Sequence, residues 1–360
     1  MRALIVGHFG GNNTGDEAML SGMLTLAKPS DNVTILTKDK KALSWIESRH
    51  RVLEAGQLRR FGLVSKGFDT FIFCGGTHFH DNYKSARLLR HWAYLMVQVL
   101  LAYLAKQGGC KVIVLGNGFG PLRYRLTRKL TTVFCGLADS VSVRDNDSDH
   151  LLNKLNIKHK LHYDLAFLNQ YKPTEKNKTI LGISVTNDPG YARHISDEDY
   201  IKRMARITKA ICYKRDIEQI HVIVIRGGLV ESDRAISEKL TLKLNEFGFK
   251  TTLIGYKNNP AEMITAIAEC SFFIGSRFHS VILSLLTGIS HIGIIPYHQK
   301  LNSLASDFGL SRHLLDIYNE TFELEVGQIP ELEVTKTTLA ELKNGVAHSR
   351  RLIEDILHGE

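Results

Sequence analysis

The chain has 360 residues, 44% of them hydrophobic and 23% charged. That excludes a disordered polymer and supplies apolar material for two cores rather than one. The formal net charge of +9 points to an anionic small substrate, an anionic membrane surface or nucleic acid. The basic residues are spread along the chain without a dense Lys/Arg block or a zinc-finger, RNA-recognition or basic-helix signature, so nucleic acid is the weakest of the three.

The N-terminal MRALIVGHFGGNNTGDEAML does not read as a signal peptide, because its apolar run is short and breaks at once into Gly and Asn. That run, Ala3–Gly7, reads as the first strand. Val33–Thr37, Thr70–Gly76, Lys111–Gly118 and Ser140–Asp145 follow. Most are continuously apolar, as parallel strands covered on both faces are. Helical patterns at Glu17–Ala27, Tyr83–Lys106 and Tyr124–Leu137 alternate with them. Trp92–Ala105 is the longest apolar stretch; it is shorter than the roughly 18–20 residues of a membrane span. It predicts a core helix, with an interfacial membrane-contact helix as the alternative.

The polar stretch Asn169–Lys178 reads as a linker. Beyond it, strands at Thr179–Thr186, Ile220–Gly228, Thr251–Gly255, Ser271–Arg277 and His291–Pro296 alternate with helices at Ser196–Tyr213, Glu231–Phe247, Pro260–Glu269 and Ser280–Leu286. Lys336–Leu357 is a last helical pattern. The alternation predicts an α/β fold of two doubly wound Rossmann-like domains, residues 1–170 and 171–335, facing a cleft, with residues 336–360 as a C-terminal helix. The five cysteines (Cys74, Cys110, Cys135, Cys212, Cys270) occur singly. With no CxxC pair they suit a reducing cytoplasm rather than a zinc site.

Several loops at strand ends carry chemistry. Phe9–Leu20, FGGNNTGDEAML, follows the first strand and opens a helix. Gly10, Gly11 and Gly15 free the backbone for tight turns, Asp16 is placed to cap the helix, and Asn12, Asn13 and Thr14 offer more hydrogen bonds than a turn needs. It is neither a dinucleotide GxGxxG nor a P-loop. Gly75 and Gly76 end the third strand, as close backbone approach requires. His78, His80 and Asp81 after them match no zinc spacing and read as polar loop residues. Asn117 and Gly118 lie in the glycine-rich GNGFGPL at the fourth strand's end. Arg144, in VRDNDS, reads either as an ion-pair partner of Asp145 or Asp147 or as a functional cation. GSRFHSVILSLLTG, Gly275–Gly288, places Arg277 and His279 where an apolar strand meets an apolar helix. A guanidinium, an imidazole and helix N–H groups together form a phosphate or carboxylate site, and a deeply buried Arg277 needs an anion.

GNNTGDEAML, CGG, GNGFGPL, VRDNDS, YDLAF (Tyr163–Phe167), GSRFHSVI and YHQK occur in this order. From about Arg2 to about Gly309 the chain resembles the polysaccharide pyruvyl transferase family. Two positions depart from the family pattern: Thr77 stands where a third glycine is frequent, and His298 where Asp is frequent.

The resemblance implies a fold similar to B-type glycosyltransferases. It implies phosphoenolpyruvate as donor, a sugar of a surface polysaccharide or its lipid-linked precursor as acceptor, and a pyruvate ketal and phosphate as products. For this chemistry His279 is the candidate general acid, with a phosphate clamp as the alternative role of its imidazole. Arg277 would hold phosphate, and Arg144, from the facing domain, phosphate or carboxylate. Gly275, Ser276, Lys300, Asn13, Gly15 and Asp16 would complete the donor site. Gly75, Gly76, Asn117, Gly118 and Asp81 would line the acceptor side. No metal or cofactor is required, because arginines neutralise the leaving phosphate. The expected location is cytoplasmic, at the inner face of the cytoplasmic membrane. Two other classes stay open: a nucleotide-sugar-dependent glycosyltransferase of the same two-domain plan, and a non-catalytic component of glycan assembly.

Overall fold

The computed structural model describes residues 1–54, 67–171, 177–187, 195–228, 232–297, 299–318 and 330–359. Residues 172–176 of the expected linker, Glu231 at an expected helix start, and His298 lie outside them. The chain divides into two compact units. The first comprises Met1–Gly11, Asp16–Asn169 and Asn344–Glu360, the second Asn12–Gly15 and Gln170–Lys343.

The first unit carries strands β1 (Arg2–Val6), β2 (Asn32–Thr37), β3 (Arg51–Glu54), β4 (Thr70–Cys74), β5 (Thr77–Phe79), β6 (Lys111–Phe119), β7 (Ser140–Val143) and β8 (Lys160–Leu161). The helices among them are α1 (Thr14–Leu24), α2 (Ser85–Gln107), α3 (Arg125–Leu137) and α4 (Asn146–Lys154). Its sheet runs β3-β2-β1-β4-β6-β7-β8 with β5 paired to β6, and every pairing is parallel. The strand order reverses between β1 and β4, which brings the loops after those strands to the switch point where open α/β sheets bind ligands.

The second unit repeats the plan with β9 (Asn177–Ser184), α5 (Asp197–Arg215), β10 (Gln219–Ile223), α6 (Arg234–Glu246), β11 (Lys250–Ile254), α7 (Pro260–Ala268), β12 (Cys270–Gly275), α8 (Phe278–Leu286), β13 (His291–Ile294) and α9 (Gln299–Asp307). Its parallel order, β11-β10-β9-β12-β13, reverses between β9 and β12. The apolar runs form the two cores: Phe73, Val112, Val114 and Phe134 in the first, Leu181, Met204, Val222 and Ile274 in the second.

The predicted strands and helices are present, and their differences have local causes. The third strand stops at Cys74 because Gly75 and Gly76 take left-handed φ angles of +61° and +73°, which a strand does not contain. The fifth stops at Val143, where Asp145 accepts the Ser148 N–H and caps α4 (2.8 Å). That helix was not foreseen, since NDSDHLLNK is mostly polar. The short strands β3, β5 and β8 and the polar helix α9 were also not foreseen. α1 begins at Thr14, so Asp16 lies inside the first helical turn and is not the cap.

The closing helix α10 (Lys336–His358) was expected as a separate segment, but from Asn344 on it belongs to the first unit. Ile353, Ile356 and Leu357 are buried, Ser349 accepts the Tyr163 N–H (3.0 Å), and Lys111 donates to the Ile356 carbonyl (3.1 Å). Three buried aliphatic side chains contribute on the order of 5 kcal/mol. Deleting residues 344–360 should therefore lower the melting temperature by several degrees in scanning calorimetry. An unchanged transition would show that the helix only rests on the unit.

Candidate functional site

At the second unit's switch point, Arg277 follows β12 and occupies the N-cap position of α8, with His279 in the first turn. Arg277 is nearly buried, its side chain 11% exposed, and its anion comes from the chain itself. Nε (3.0 Å) and Nη2 (2.5 Å) donate to the two carboxylate oxygens of Asp233, which is fully buried. The same carboxylate accepts the backbone N–H groups of Asn187 (3.0 Å) and Arg226 (3.2 Å). One acidic side chain thus ties together the segments that follow β9, β10 and β12.

A serine network supports this frame. Ser276, with no exposed surface, donates to the Ser184 carbonyl (2.8 Å), and Ser184 donates to Ser280 (2.8 Å). Ser280 accepts the Arg277 N–H (3.2 Å) and so holds the first turn of α8. Gly275 keeps β12 against that helix, since a Cβ there would stand 2.7 Å from Val281 Cγ2. Residues 279–285 are all buried, as the apolar pattern predicted.

The glycine-rich segment after β1 joins the same group. Asn13 pairs with Arg226 in an antiparallel bridge, the Thr14 N–H donates to the Ile225 carbonyl (3.1 Å), and the Gly227 N–H donates to the Asn12 carbonyl (2.8 Å). Asn13 Oδ1 accepts the Gly15 N–H (3.2 Å). Gly15 then lies against the His279 ring, where an added Cβ would fall 2.0 Å from Nδ1. Asn13, Gly15, Gly275, Ser276, Arg277 and His279 are therefore brought together within one unit. Lys300 sits partly buried in α9, and Asp16 belongs to the first unit.

The first unit holds its own buried cation. Arg144 Nη1 lies 2.7 Å from Asp164 Oδ2 and 2.9 Å from Met19 Sδ, while Asp145 stands 3.8 Å from Nε. Asp145, which sequence proximity suggested, is thus within ion-pair distance, and the shorter contact is to Asp164. Gly118 makes room for this group, since a Cβ there would meet Thr77 Oγ1 at 2.6 Å. Its N–H donates to the Gly76 carbonyl (2.8 Å), and the Gly75 N–H to that of Leu115 (2.9 Å). Asn117 has no exposed surface, and neither end of its amide meets a hydrogen-bond partner among the described residues. Asp81 is buried and anchors the start of α3 by accepting the Tyr124 N–H (2.8 Å) and the Thr127 hydroxyl.

Glu17, beside Asp16 in α1, is 1% exposed. Burial first, then the Asp16 charge, push its pKa up to about 8, while the Gly10 N–H (3.2 Å) and the Trp45 indole act the other way.

Asp233, Asp164 and Glu17 were not singled out from sequence. Asp164 lies inside the recognised YDLAF, where its acidic side chain was a usable signal. Asp233 stands 44 residues from Arg277, and no spacing rule links the two.

Two doubly wound parallel units in one chain define the fold class of B-type glycosyltransferases. A UDP-GlcNAc 2-epimerase from Neisseria meningitidis solved with UDP-GlcNAc is 10% identical, with a TM-score of 0.54 over 100% of both chains. A trehalose 6-phosphate synthase from Burkholderia multivorans is 8% identical, with a TM-score of 0.53 over 99% of this chain and 97% of that one. Phytolacca americana UGT2, solved with UDP-2-fluoro-glucose and pterostilbene, is 9% identical, with a TM-score of 0.52 over 99% and 94%. At these identities the likeness shows the fold alone. The chain itself belongs to the polysaccharide pyruvyl transferase family, whose profile matches residues 13–298.

Removing one partner of a buried ion pair leaves the other charge uncompensated and costs about 3–5 kcal/mol. Asp233→Ala should lower the unfolding free energy in urea by about that amount. A loss well under 1 kcal/mol would mean that Arg277 finds another anion.

Glu17 gives a pH signature. Its folded pKa of about 8 lies above an unfolded value of about 4.3, so between these values the folded state binds more protons. Stability is then lost progressively as pH rises through that window. Glu17→Gln should leave the melting temperature nearly unchanged near pH 4 and raise it over wild type by an increment that grows up to pH 8. A constant increment across that range would contradict the burial of a neutral carboxyl.

Proposed function

We propose that the chain transfers the enolpyruvyl group of phosphoenolpyruvate to a sugar of a surface polysaccharide or its lipid-linked precursor, releasing phosphate and leaving a pyruvate ketal. Family membership carries the class. The observation that carries the site is the placing of His279 in the first turn of α8, against Gly15 and beside the Arg277–Asp233 pair. A helix N-terminus favours an anion, and a fixed guanidinium beside it adds charge and directed donors.

In this reading His279 protonates the methylene carbon of the donor. The adjacent carbon becomes oxocarbenium-like and a sugar hydroxyl attacks it. Phosphate departs with its electron pair, and a second hydroxyl of the same sugar closes the ketal. Of the two hydroxyl protons released, one balances the proton given to carbon and the other leaves with phosphate. Asp233 fixes Arg277 before the donor arrives, so that little reorganisation accompanies the charge developing on phosphate. Gly15 leaves room for the imidazole. On the acceptor side, in the first unit, the sugar would lie against the carboxyl-edge loops that carry Gly75, Gly76, Asp81, Asn117 and Gly118, with Arg144, held by Asp164, at the same edge. The work would take place in the cytoplasm at the inner membrane face, where lipid-linked saccharides are presented.

Phosphate release from phosphoenolpyruvate with candidate oligosaccharide acceptors tests the activity. The donor should raise the melting temperature, and nucleotide sugars should do so less. Stabilisation by a nucleotide sugar alone would favour the glycosyltransferase reading. His279→Gln should keep donor affinity within a few-fold and reduce turnover by about 10²–10⁴, the range for a positioned acid. Gly15→Ala should displace the imidazole and give a similar loss. Normal turnover by His279→Gln would remove it as the acid.

A further inference from the structure

The outer face of α2 contradicts its place on a protein surface. Its inner face packs Leu88, Leu95, Leu101 and Ala105 into the first core. Its outer face carries Leu89, Ala93, Met96, Val97, Leu100 and Tyr103, all exposed; Leu89 is 63% exposed and Met96 51%. These positions fall on one side of a helix at spacings of three and four. No charged residue interrupts them over a length of about 21 Å. The neighbouring α3, joined to α2 by the Trp92–Tyr124 ring contact and the Trp92–Thr127 hydrogen bond (3.0 Å), adds exposed Leu126 and Val133. A contiguous apolar surface of this kind marks an interaction site.

The charge around it selects the occupant. From Asn82 to Ala138 the sequence holds nine Lys and Arg and no Asp or Glu; elsewhere 37 basic residues match 37 acidic ones. The whole excess of +9 therefore lies in the segment that builds α2, β6 and α3. It does not follow the basic residues, which are spread along the chain, but a gap in the acidic ones. Lys84, Arg87 and Arg90 are exposed around the N-terminal end of α2, and Arg123, Arg125 and Lys129 around that of α3.

We infer that the outer faces of α2 and α3 dock on an anionic phospholipid surface, with the apolar stripe in the headgroup–acyl boundary and the cationic ends on lipid phosphates. An isologous contact between two copies would set this positive surface against itself, whereas an anionic bilayer complements it. α2 is long and apolar enough by composition to cross a membrane, but its inner face is part of the core, so it lies on the bilayer rather than spanning it. In a parallel α/β unit the helix N-termini point to the carboxyl edge of the sheet. The cationic ends thus share that edge with Gly75, Gly76, Asn117 and Gly118. The docking stands on this face alone and does not depend on pyruvyl transfer.

Vesicle co-sedimentation of the full chain tests it, using phosphatidylcholine with and without phosphatidylglycerol, at low and high salt. The wild type should pellet only with the anionic vesicles, and binding should fade as salt rises. Arg87→Gln with Arg90→Gln should weaken binding about thirtyfold, two charges at about a factor of five each. Met96→Gln with Leu100→Gln should weaken it at least tenfold, with melting temperature and phosphate release on a soluble acceptor unchanged in both variants. No binding by the wild type at low salt would overturn the inference, as would equal binding by all three proteins. So would a dimer in sedimentation velocity that Met96→Gln with Leu100→Gln dissociates while vesicles capture nothing.

Discussion

The second unit's site depends on a buried ion pair. Arg277 keeps its proton at any accessible pH, so a guanidinium that is nearly out of water must be given an anion. Asp233 provides it and accepts two backbone N–H groups as well, which satisfies the carboxylate from four donors. Those donors come from segments following three different strands. The pair therefore fixes loops that sheet pairing leaves free, and it explains how β12 hands over to α8 without fraying the turn that carries His279.

The first unit solves the same problem with different parts. Arg144 follows β7 as Arg277 follows β12, and its carboxylate, Asp164, also comes from elsewhere in the chain. Asp164 at once accepts the Ala166 N–H (2.8 Å) at the start of a short helical turn. Each unit thus holds an arginine at the carboxyl edge of its sheet that is compensated by an aspartate which also organises backbone. The compensation holds each cation in place and limits how much net charge it presents to a ligand. A phosphate-binding role would rest on orientation and helix amides as much as on formal charge.

Much of the architecture was legible because parallel strands covered on both faces are apolar along their length, and most of the ten expected strands show such a run. His279 and Arg277 stood out because basic side chains at the meeting of an apolar strand and an apolar helix need a reason. The glycines at 75 and 76 were legible as strand-end positions, although the strand stops before them, at the left-handed turn they make. Polar helices such as α4 were not legible, since caps and short apolar faces define them. Asp16 looked like a cap only until the Asn12–Thr14 segment proved to pair with Ile225–Gly227, which starts the helix earlier. Asp233 and Asp164 were hidden because ion pairs between distant residues leave no period in the sequence. The charge of α2 and α3 has no local signature, because it is made by missing acids rather than by a cluster of bases.

If the Asp233-held Arg277 and the adjacent His279 form a phosphoenolpyruvate site, removing the Asp233 charge must weaken donor binding. Calorimetric titration of phosphoenolpyruvate into wild type and Asp233→Asn tests it most directly, with folding of the variant verified by its thermal transition. The amide keeps the shape and loses the charge that orients the guanidinium. The wild type should bind with measurable affinity and the variant at least about tenfold more weakly, equivalent to about 1.4 kcal/mol. A folded Asp233→Asn protein that binds phosphoenolpyruvate as the wild type does would contradict it.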